Sequence, residues 1–328
     1  MKRRALSIAL TVAVCGALLG CSSTTSKDSG ETTAAATNTV VSTEAVTTSP
    51  VSSASSESTT APKSSVTGDR PFTVNEPSGY DPNVPAPLLV VLHGYTANGE
   101  SAKAFFGLQD AASKRGYLTV YPNGTKDGSG APFWNATDAC CNFGGSEVDD
   151  SAYLEAIVTD LQLRYAVDPK RIYFAGHSNG GFMSYRMACE HADTIAAIVS
   201  VAGAMVDDTS KCQPFGPVSV AQVHGTADAV ISFDGSAIGG NAYPSATDSV
   251  ADWANVDGCK APLKPTPTPV DFDSSVAGPE TTVSAYGDCR ASAVELWTIA
   301  NGAHGPSFTP AFGNAVLDFF DAHPKQTA

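Results

Sequence analysis

The feature that most limits how this chain can fold is a series of short apolar runs separated by stretches with helical periodicity. Six such runs are candidate strands, at 87–92, 117–121, 171–175, 196–202, 218–223 and 294–299. They are nearly continuous in β-branched and other apolar residues, which is typical of parallel strands covered on both faces. Four stretches are candidate helices, at 101–116, 150–165, 179–191 and 311–322. This alternation indicates an α/β fold with a doubly wound, mostly parallel sheet.

Two further local predictions concern a helix start and a break in the alternation. Asp150 is a plausible N-cap for the second helix, because its carboxylate can accept the first free backbone N–H groups. The Pro-rich stretch 261–270 interrupts the strand and helix pattern and is expected to form a surface excursion.

The N-terminus has the layout of a secretory signal. Basic residues at 2–4 precede the apolar run 5–19, which is too short to span a membrane comfortably. The run ends in Leu-Leu-Gly-Cys, which resembles the lipobox of bacterial lipoproteins. We therefore expect residues 1–20 to be a signal peptide and Cys21 to be the lipidated N-terminus of the mature protein.

The remaining chain is expected to contain a tether and one domain. Residues 21–67 are rich in Ser, Thr and Ala and contain no aromatic residue, so they bury too little apolar area to offset the entropy of ordering. Residues 68–324 are long enough for one α/β domain with a full core. The sequence thus predicts one α/β domain that a disordered segment holds away from a membrane.

Charge and cysteine content indicate an exported protein. The net charge of −14 argues against nucleic acid as a partner and against electrostatic docking on anionic lipids. Six cysteines lie in the predicted domain: Cys140, Cys141, Cys189, Cys212, Cys259 and Cys289. They point to disulfides, because no paired Cys/His spacing supports a metal site. Proximity along the chain favours Cys189–Cys212 and Cys259–Cys289, and leaves Cys140 and Cys141 to form a vicinal bridge or to pair elsewhere.

The strongest local motif is Gly-His-Ser-Asn-Gly, which begins at Gly176. A G-x-S-x-G motif alone is weak, because a chain rich in Gly and Ser produces it by chance. Here a buried strand precedes the motif and a helical pattern follows it, as a nucleophile at a sharp strand-to-helix turn requires. Ser178 is therefore the candidate nucleophile.

A serine nucleophile needs a base, and the base needs a carboxylate that orients it. Both are expected after Ser178 in the chain, each in a loop that follows a strand. Asp228 follows the strand at 218–223, and His304 follows the strand at 294–299. Ser178, Asp228 and His304 thus occur in the expected order.

Other residues compete for these roles but fit them less well. Asp234 and Asp248 lie farther from the end of the strand than Asp228 does. His191 is expected to cap the end of the helix that follows the motif. His323 is nearly C-terminal, and His224 is interpreted as a structural turn residue.

The oxyanion of a tetrahedral intermediate needs preorganised hydrogen-bond donors. The backbone N–H of Asn179 is one candidate, because it follows the nucleophile at a helix N-terminus. The backbone N–H of Tyr95 is the other, with Thr96 as the alternative, and the Tyr95 side chain is a candidate for lining the acyl pocket.

Five segments together resemble a known family. HGYTANG, VDD, GHSNGG, HGTAD and GAH, in this order, resemble the polyhydroxybutyrate depolymerase and feruloyl esterase group, which is the first carbohydrate esterase family and includes bacterial lipoproteins. The resemblance runs from about Pro71 to Phe320. It implies an α/β-hydrolase fold, the Ser178, His304 and Asp228 triad, disulfides like the two favoured above, and no cofactor.

One departure from the family leaves the substrate open. Many members follow the triad histidine with Trp-Pro, whereas here His304 is followed by Gly-Pro-Ser-Phe at 305–308. Phe133 and Trp134 are candidate aromatic substrate contacts in its place, although core packing explains them equally well.

The resulting prediction is a secreted, lipid-anchored serine esterase that acts through an acyl-enzyme. The candidate substrates are polyhydroxyalkanoates or other polyesters, feruloyl esters and acetyl esters. Two alternatives stay open: acyl transfer to a sugar hydroxyl by the same residues, and a non-catalytic binding lipoprotein.

Overall fold

A computed structural model of the protein describes residues 70–326. The predicted signal peptide at 1–20, the lipidation site Cys21 and the tether up to residue 67 lie outside the described residues. In the described part, no helix combines the length and the apolar character needed to cross a membrane.

The main feature is a mixed, nine-stranded sheet with the strand order β1-β3-β2-β6-β7-β8-β13-β12-β11. Its strands are β1 (Val74–Asn75), β2 (Ala86–Leu92), β3 (Leu118–Val120), β6 (Val167–His177), β7 (Ala197–Val201), β8 (Ser219–Gly225), β11 (Ala261–Pro265), β12 (Thr281–Gly287) and β13 (Val294–Ile299). Two short hairpins lie outside this sheet, formed by β4 (Thr125–Lys126) with β5 (Pro132–Phe133) and by β9 (Ser236–Ile238) with β10 (Asn241–Tyr243). The six strands predicted from apolar runs are consecutive in the order and pair in parallel.

Within residues 70–326, six α-helices cover both faces of the sheet. They are α1 (Gly99–Phe106), α2 (Gln109–Lys114), α3 (Asp150–Arg164), α4 (Asn179–Glu190), α5 (Ala246–Val256) and α6 (Pro310–Ala322). Apolar residues of α3, α4 and α5 join one core cluster, and those of α1, α2 and α6 join the other. The doubly wound α/β architecture is thereby confirmed, since the leucine and valine side chains of the central strand β2 enter the two clusters in alternation.

Three of the local predictions need correction. The helix expected at 101–116 is two helices, because Gly107 adopts a left-handed conformation with φ of +59° and ends α1. Asp149, not Asp150, is the N-cap of α3, and its side chain accepts from the N–H of Ala152. The Pro-rich stretch is not only a surface excursion, because Ala261–Pro265 forms the outermost strand of the sheet. Proline is tolerated there, since an edge strand leaves one row of backbone groups unpaired.

The antiparallel edge was missed by the sequence-based prediction. β12 pairs antiparallel with both β13 and β11. Most of its residues are only half-buried, and its sequence, Thr-Thr-Val-Ser-Ala-Tyr-Gly, contains no continuous apolar run. Strands of this kind carry a weaker sequence signal than the fully buried central strands.

Three disulfides lie within the described residues. Cys189 pairs with Cys212 and Cys259 pairs with Cys289, as chain proximity and the family resemblance both favoured. Cys140 and Cys141 pair with each other, which is the vicinal alternative. The first bridge joins the end of α4 to the segment before β8, and the second joins the end of α5 to the end of β12.

Candidate active site

Ser178 sits at a sharp turn between β6 and α4. Its φ of +54° and ψ of −120° are rare for a residue other than glycine, so the surrounding structure must enforce them. The flanking glycines make the turn possible: a Cβ on Gly176 would lie 2.0 Å from the carbonyl oxygen of Gly180. A Cβ on Gly180 would lie 2.5 Å from the carbonyl oxygen of Leu92. The predicted strand, turn and helix therefore surround Ser178 as the motif requires.

The three predicted triad side chains meet at this turn. His304 Nε2 lies 3.0 Å from Ser178 Oγ, and His304 Nδ1 lies 2.8 Å from Asp228 Oδ2. Because an ionised carboxylate only accepts hydrogen bonds, Nδ1 carries the proton and Nε2 is free to accept one from the serine hydroxyl. The arrangement can thus generate an alkoxide nucleophile and transfer its proton to His304.

The Asp228 carboxylate is held as an anion in a solvent-free position. Its side chain has no exposed surface, and its Oδ1 accepts from the N–H groups of Val230 and Ile231 at 2.8 and 2.9 Å. Burial acts to raise the pKa of Asp228, but hydrogen bonds from His224 and His304 outweigh it and hold this pKa well below its usual value. Asp228 therefore remains a charged acceptor at neutral pH.

His224 is a buried strand residue, which corrects its interpretation as a turn residue. It lies in β8, and its Nε2 is 2.8 Å from the carbonyl oxygen of Ile231 and 3.3 Å from Asp228 Oδ2. Gln222 Nε2 donates to the carbonyl of Gly203 and lies 3.1 Å from His224 Nδ1. Since that amide donates, Nδ1 is the accepting nitrogen and Nε2 carries the proton that faces Asp228. His224 is the first residue of the HGTAD segment, so the segment already contained this partner of Asp228.

His177, inside the G-x-S-x-G motif, supports the histidine loop. Its Nε2 donates to the backbone carbonyl of His304 at 2.8 Å, and the two rings lie 4.9 Å apart between centroids. Burial lowers the pKa of His177 to about 4, although the hydrogen bond to His304 acts in the opposite direction. His177 is consequently a neutral donor at neutral pH.

The two predicted oxyanion donors lie beside Ser178. A Cβ on Gly94 would be 3.3 Å from the Cβ of Ser178, so the chain at Tyr95 passes close to the nucleophile. In the described part of the chain, neither the Tyr95 nor the Asn179 backbone N–H donates to a backbone acceptor. The alternative donor, Thr96 N–H, is already bonded to the carbonyl of Pro132 at 2.8 Å.

Phe133 and Trp134, the predicted aromatic substrate contacts, occupy core positions, which favours the alternative of core packing. Both residues have no exposed surface. The Trp134 backbone instead clamps the side chain of Asn179, through Trp134 N–H to Oδ1 at 2.7 Å and Nδ2 to the Trp134 carbonyl at 2.9 Å. Trp134 therefore supports the start of α4, and the core-packing explanation applies to its ring.

Exposed aromatic surface comes from a residue that the sequence-based prediction overlooked. Phe143 is 57% exposed, and its ring meets that of Tyr95 edge to face with centroids 5.3 Å apart. The Tyr95 hydroxyl donates to Asp127 at 2.7 Å, and hydrogen bonds from Ser129 and Tyr95 lower the pKa of Asp127 to about 2. The Tyr95 ring is thus held at its hydroxyl by Asp127, and Phe143 packs beside it.

Among residues 70–326, no three or more His, Cys, Asp or Glu side chains are grouped as metal ligands. The histidines and the carboxylate at the site are engaged with one another as described above.

Comparison with known proteins identifies the family. The model of a family described as the alpha/beta hydrolase fold matches residues 87–293, which is more than half of the chain. The chain belongs to this α/β-hydrolase family. The matched region includes Ser178 and Asp228 and ends before His304.

Curated relatives support the narrower resemblance. The chain is 28% identical over 244 residues to a feruloyl esterase B of Piromyces equi, which covers 72% of this chain and 42% of the relative. It is 30% identical over 164 residues to a bifunctional acetylxylan esterase/xylanase of Neocallimastix patriciarum, which covers 50% of this chain and 22% of the relative. The chain thus spans less than half the length of these two relatives.

A solved structure shows the same fold. The acetyl xylan esterase from Aspergillus awamori superposes with a TM-score of 0.54 at 16% identity, over 77% of this chain and 94% of that one. At this identity the likeness concerns the α/β-hydrolase fold alone.

Acidification should weaken the folded state through His177. The pKa of this residue is about 4 in the folded protein, against 6.5 for an ordinary histidine. The unfolded chain therefore binds the additional proton first, and the free energy of unfolding falls as pH drops through this window. His177→Gln keeps a donor for the His304 carbonyl but does not titrate. Urea unfolding of both proteins at several pH values between about 7 and 4 should show a steeper decline for wild type, and parallel declines would contradict the assignment.

Proposed function

We propose that the protein is a serine hydrolase that cleaves carboxylic esters through an acyl-enzyme. The single observation that carries the proposal is the unbroken hydrogen-bonded series Ser178 Oγ, His304, Asp228, with contacts of 3.0 and 2.8 Å. The esterase relatives reported above support the same reaction class.

In the first half of the reaction, Ser178 Oγ attacks the ester carbonyl carbon while His304 Nε2 takes the serine proton. Asp228 stabilises the imidazolium that forms, because its buried carboxylate remains ionised. Collapse of the tetrahedral intermediate breaks the bond to the leaving alcohol, which receives the proton from His304. The acyl group remains on Ser178.

In the second half, water replaces the alcohol. His304 Nε2 takes a proton from water, the resulting hydroxide attacks the acyl carbon, and the proton returns to Ser178 Oγ as the carboxylic acid leaves. In both halves the negative oxygen would be held by the N–H groups of Tyr95 and Asn179. The second donor lies at the N-terminus of α4, where the helix dipole favours negative charge.

For the substrate we propose a feruloyl or acetyl ester of a polysaccharide, in preference to a polyester. The relatives that support this choice are a feruloyl esterase and an acetylxylan esterase. The Tyr95–Phe143 aromatic pair supports the feruloyl alternative. The exposed Phe143 ring packs on the side chain of Tyr95, the residue whose backbone N–H is the proposed oxyanion donor, and it offers a face for a planar acyl group.

For the location we propose an exported protein that is anchored by a lipid on Cys21. The basic and apolar order of residues 1–20 and the cysteine that follows them support this placement. Three disulfides within the described residues are compatible with an oxidising compartment.

Removing the nucleophile or the carboxylate of the proposed triad should abolish turnover without unfolding the protein. We expect Ser178→Ala to lower kcat for p-nitrophenyl acetate by about 10⁴-fold or more, and Asp228→Asn by a comparable factor. Asp234→Asn is the matched control, because Asp234 is an exposed carboxylate in the same segment. Retained activity in Ser178→Ala, or an equal loss in Asp234→Asn, would rule out the proposed triad.

Shortening the aromatic pair should affect aromatic esters selectively. We expect Phe143→Ala to raise KM for methyl ferulate by about 3–10-fold, since an aromatic contact contributes about 0.5–1.5 kcal/mol. The effect of the same variant on KM for p-nitrophenyl acetate and on KM for an alkyl acetate separates the two parts of the ester. A rise only for p-nitrophenyl acetate would show that Phe143 contacts the alcohol group and not the acyl group. Phe215→Ala is the matched control. Phe215 is 99% exposed and lies just before the amino end of β8, whereas Ser178 follows the carboxyl end of β6. An unchanged KM for methyl ferulate would exclude Phe143 from the acyl site.

Replacing the lipidation site should release the protein from the membrane. We expect Cys21→Ser to move the protein from the membrane fraction to the soluble or extracellular fraction, as judged by immunoblot of the fractions. Cys15→Ser, within the predicted signal, is the control. Membrane retention of Cys21→Ser equal to that of wild type would reject the anchor.

A further inference from the structure

Two carboxylates outside the triad are buried close together. Asp273 has no exposed surface and Glu280 is 8% exposed. Both belong to the segment that leads from the Pro-rich stretch into β12. The backbone N–H of Asp273 donates to Glu280 Oε1 at 2.9 Å, which places the Glu280 carboxylate against the backbone of Asp273.

One oxygen of each carboxylate is fully hydrogen-bonded. Glu280 Oε1 accepts from the N–H groups of Phe272 and Asp273 and from the Thr281 hydroxyl. Asp273 Oδ1 accepts from the N–H and the hydroxyl of Ser275 and from the N–H of Ser307. All of these donors are neutral, so they orient the two anions without neutralising their charge.

The other oxygen of each carboxylate has no partner. Asp273 Oδ2 and Glu280 Oε2 are both inaccessible to solvent and accept no hydrogen bond within the described residues. Burying a charge costs several kcal/mol unless it is paired with an opposite charge or bound to a metal ion. Within residues 70–326 no basic side chain pairs with either carboxylate, so a bound cation would offset the remaining cost of burying the two charges.

We propose that Asp273 and Glu280 form a binding site for a calcium ion. The two unpaired oxygens, Asp273 Oδ2 and Glu280 Oε2, would be its carboxylate ligands. Ca²⁺ is a hard cation that takes six to eight oxygen ligands and accepts backbone carbonyls, hydroxyls and water alongside carboxylates. The largely exposed loop between the two residues, 274–279, contains groups of this kind. A transition metal fits less well, because in the described part of the chain no histidine or third carboxylate is grouped with the pair.

The site is linked to the loop that carries His304. Asp273 Oδ1 holds the N–H of Ser307, and both the N–H and the hydroxyl of Ser274 donate to the Ser307 carbonyl at 2.9 Å. Ser307 is three residues from His304. A bound cation would thus stabilise the segment that positions the proposed general base, although the site itself does not depend on the proposed activity.

Thermal unfolding of the full chain tests the proposal independently of catalysis. With only two carboxylate ligands, the site belongs to the weak class of calcium sites, with Kd of about 10⁻⁴–10⁻³ M. After dialysis against EDTA, we expect CaCl₂ at about 10 mM to raise Tm by about 3–10 °C relative to NaCl of equal ionic strength. Isothermal titration with CaCl₂ should give one ion per chain.

Charge-neutral variants locate the effect. We expect Asp273→Asn and Glu280→Gln to lose the CaCl₂-dependent rise in Tm, because each removes one ligand charge while keeping the side-chain shape. Asp271→Asn is the matched control: Asp271 is exposed, lies two residues before Asp273, and should leave the rise intact.

Two outcomes would overturn the proposal. In the first, EDTA-treated wild type has the same Tm in CaCl₂ and in NaCl. This measurement uses the wild-type protein alone, so it does not depend on whether a variant folds. In the second, Asp273→Asn and Glu280→Gln fold and keep the full calcium response, which would assign it to another part of this acidic chain.

Discussion

The hydrogen bonds at the carboxyl ends of the central parallel strands are the constraint on which the site depends. Just past the paired strands, Ser178 N–H donates to the Val201 carbonyl, Ala202 N–H to the Val223 carbonyl, and Thr226 N–H to the Ile299 carbonyl. The hydrogen-bond ladder of β6, β7, β8 and β13 therefore extends one residue into the loops that follow β6, β7 and β8. Loops separated by tens of residues in sequence are brought to one edge because parallel strands end on the same side of a sheet.

The electrostatics of the site follow from burial at that edge. Asp228 keeps its charge because four donors surround its carboxylate: two backbone N–H groups and two histidines. His304 is oriented on one side by Asp228 and held at its backbone by neutral His177. The buried charge can thus orient His304, the proposed general base, because every hydrogen bond that Asp228 accepts is already in place before a substrate arrives.

The same physics distinguishes a second acidic pair. At Asp228 the buried charge meets donors on both oxygens, whereas Asp273 and Glu280 each leave one oxygen without a partner among the described residues. The two sites are joined through the segment around Ser307, which follows His304 and bonds to Asp273. The position of the histidine loop is therefore determined from two sides, by the strand ends and by the acidic segment before β12.

The sequence by itself determined the doubly wound sheet, the six candidates for its parallel strands, and Ser178, Asp228 and His304 as the candidate triad. It could do so because buried strands and the strand-to-helix turn are local patterns of apolar and small residues. Only the tertiary structure decided that His224 faces Asp228, that Trp134 is buried while Phe143 is exposed, and that β11 and β12 complete the sheet. Those facts depend on contacts between distant segments and on the direction of each side chain, and neither leaves a periodic signature along the chain.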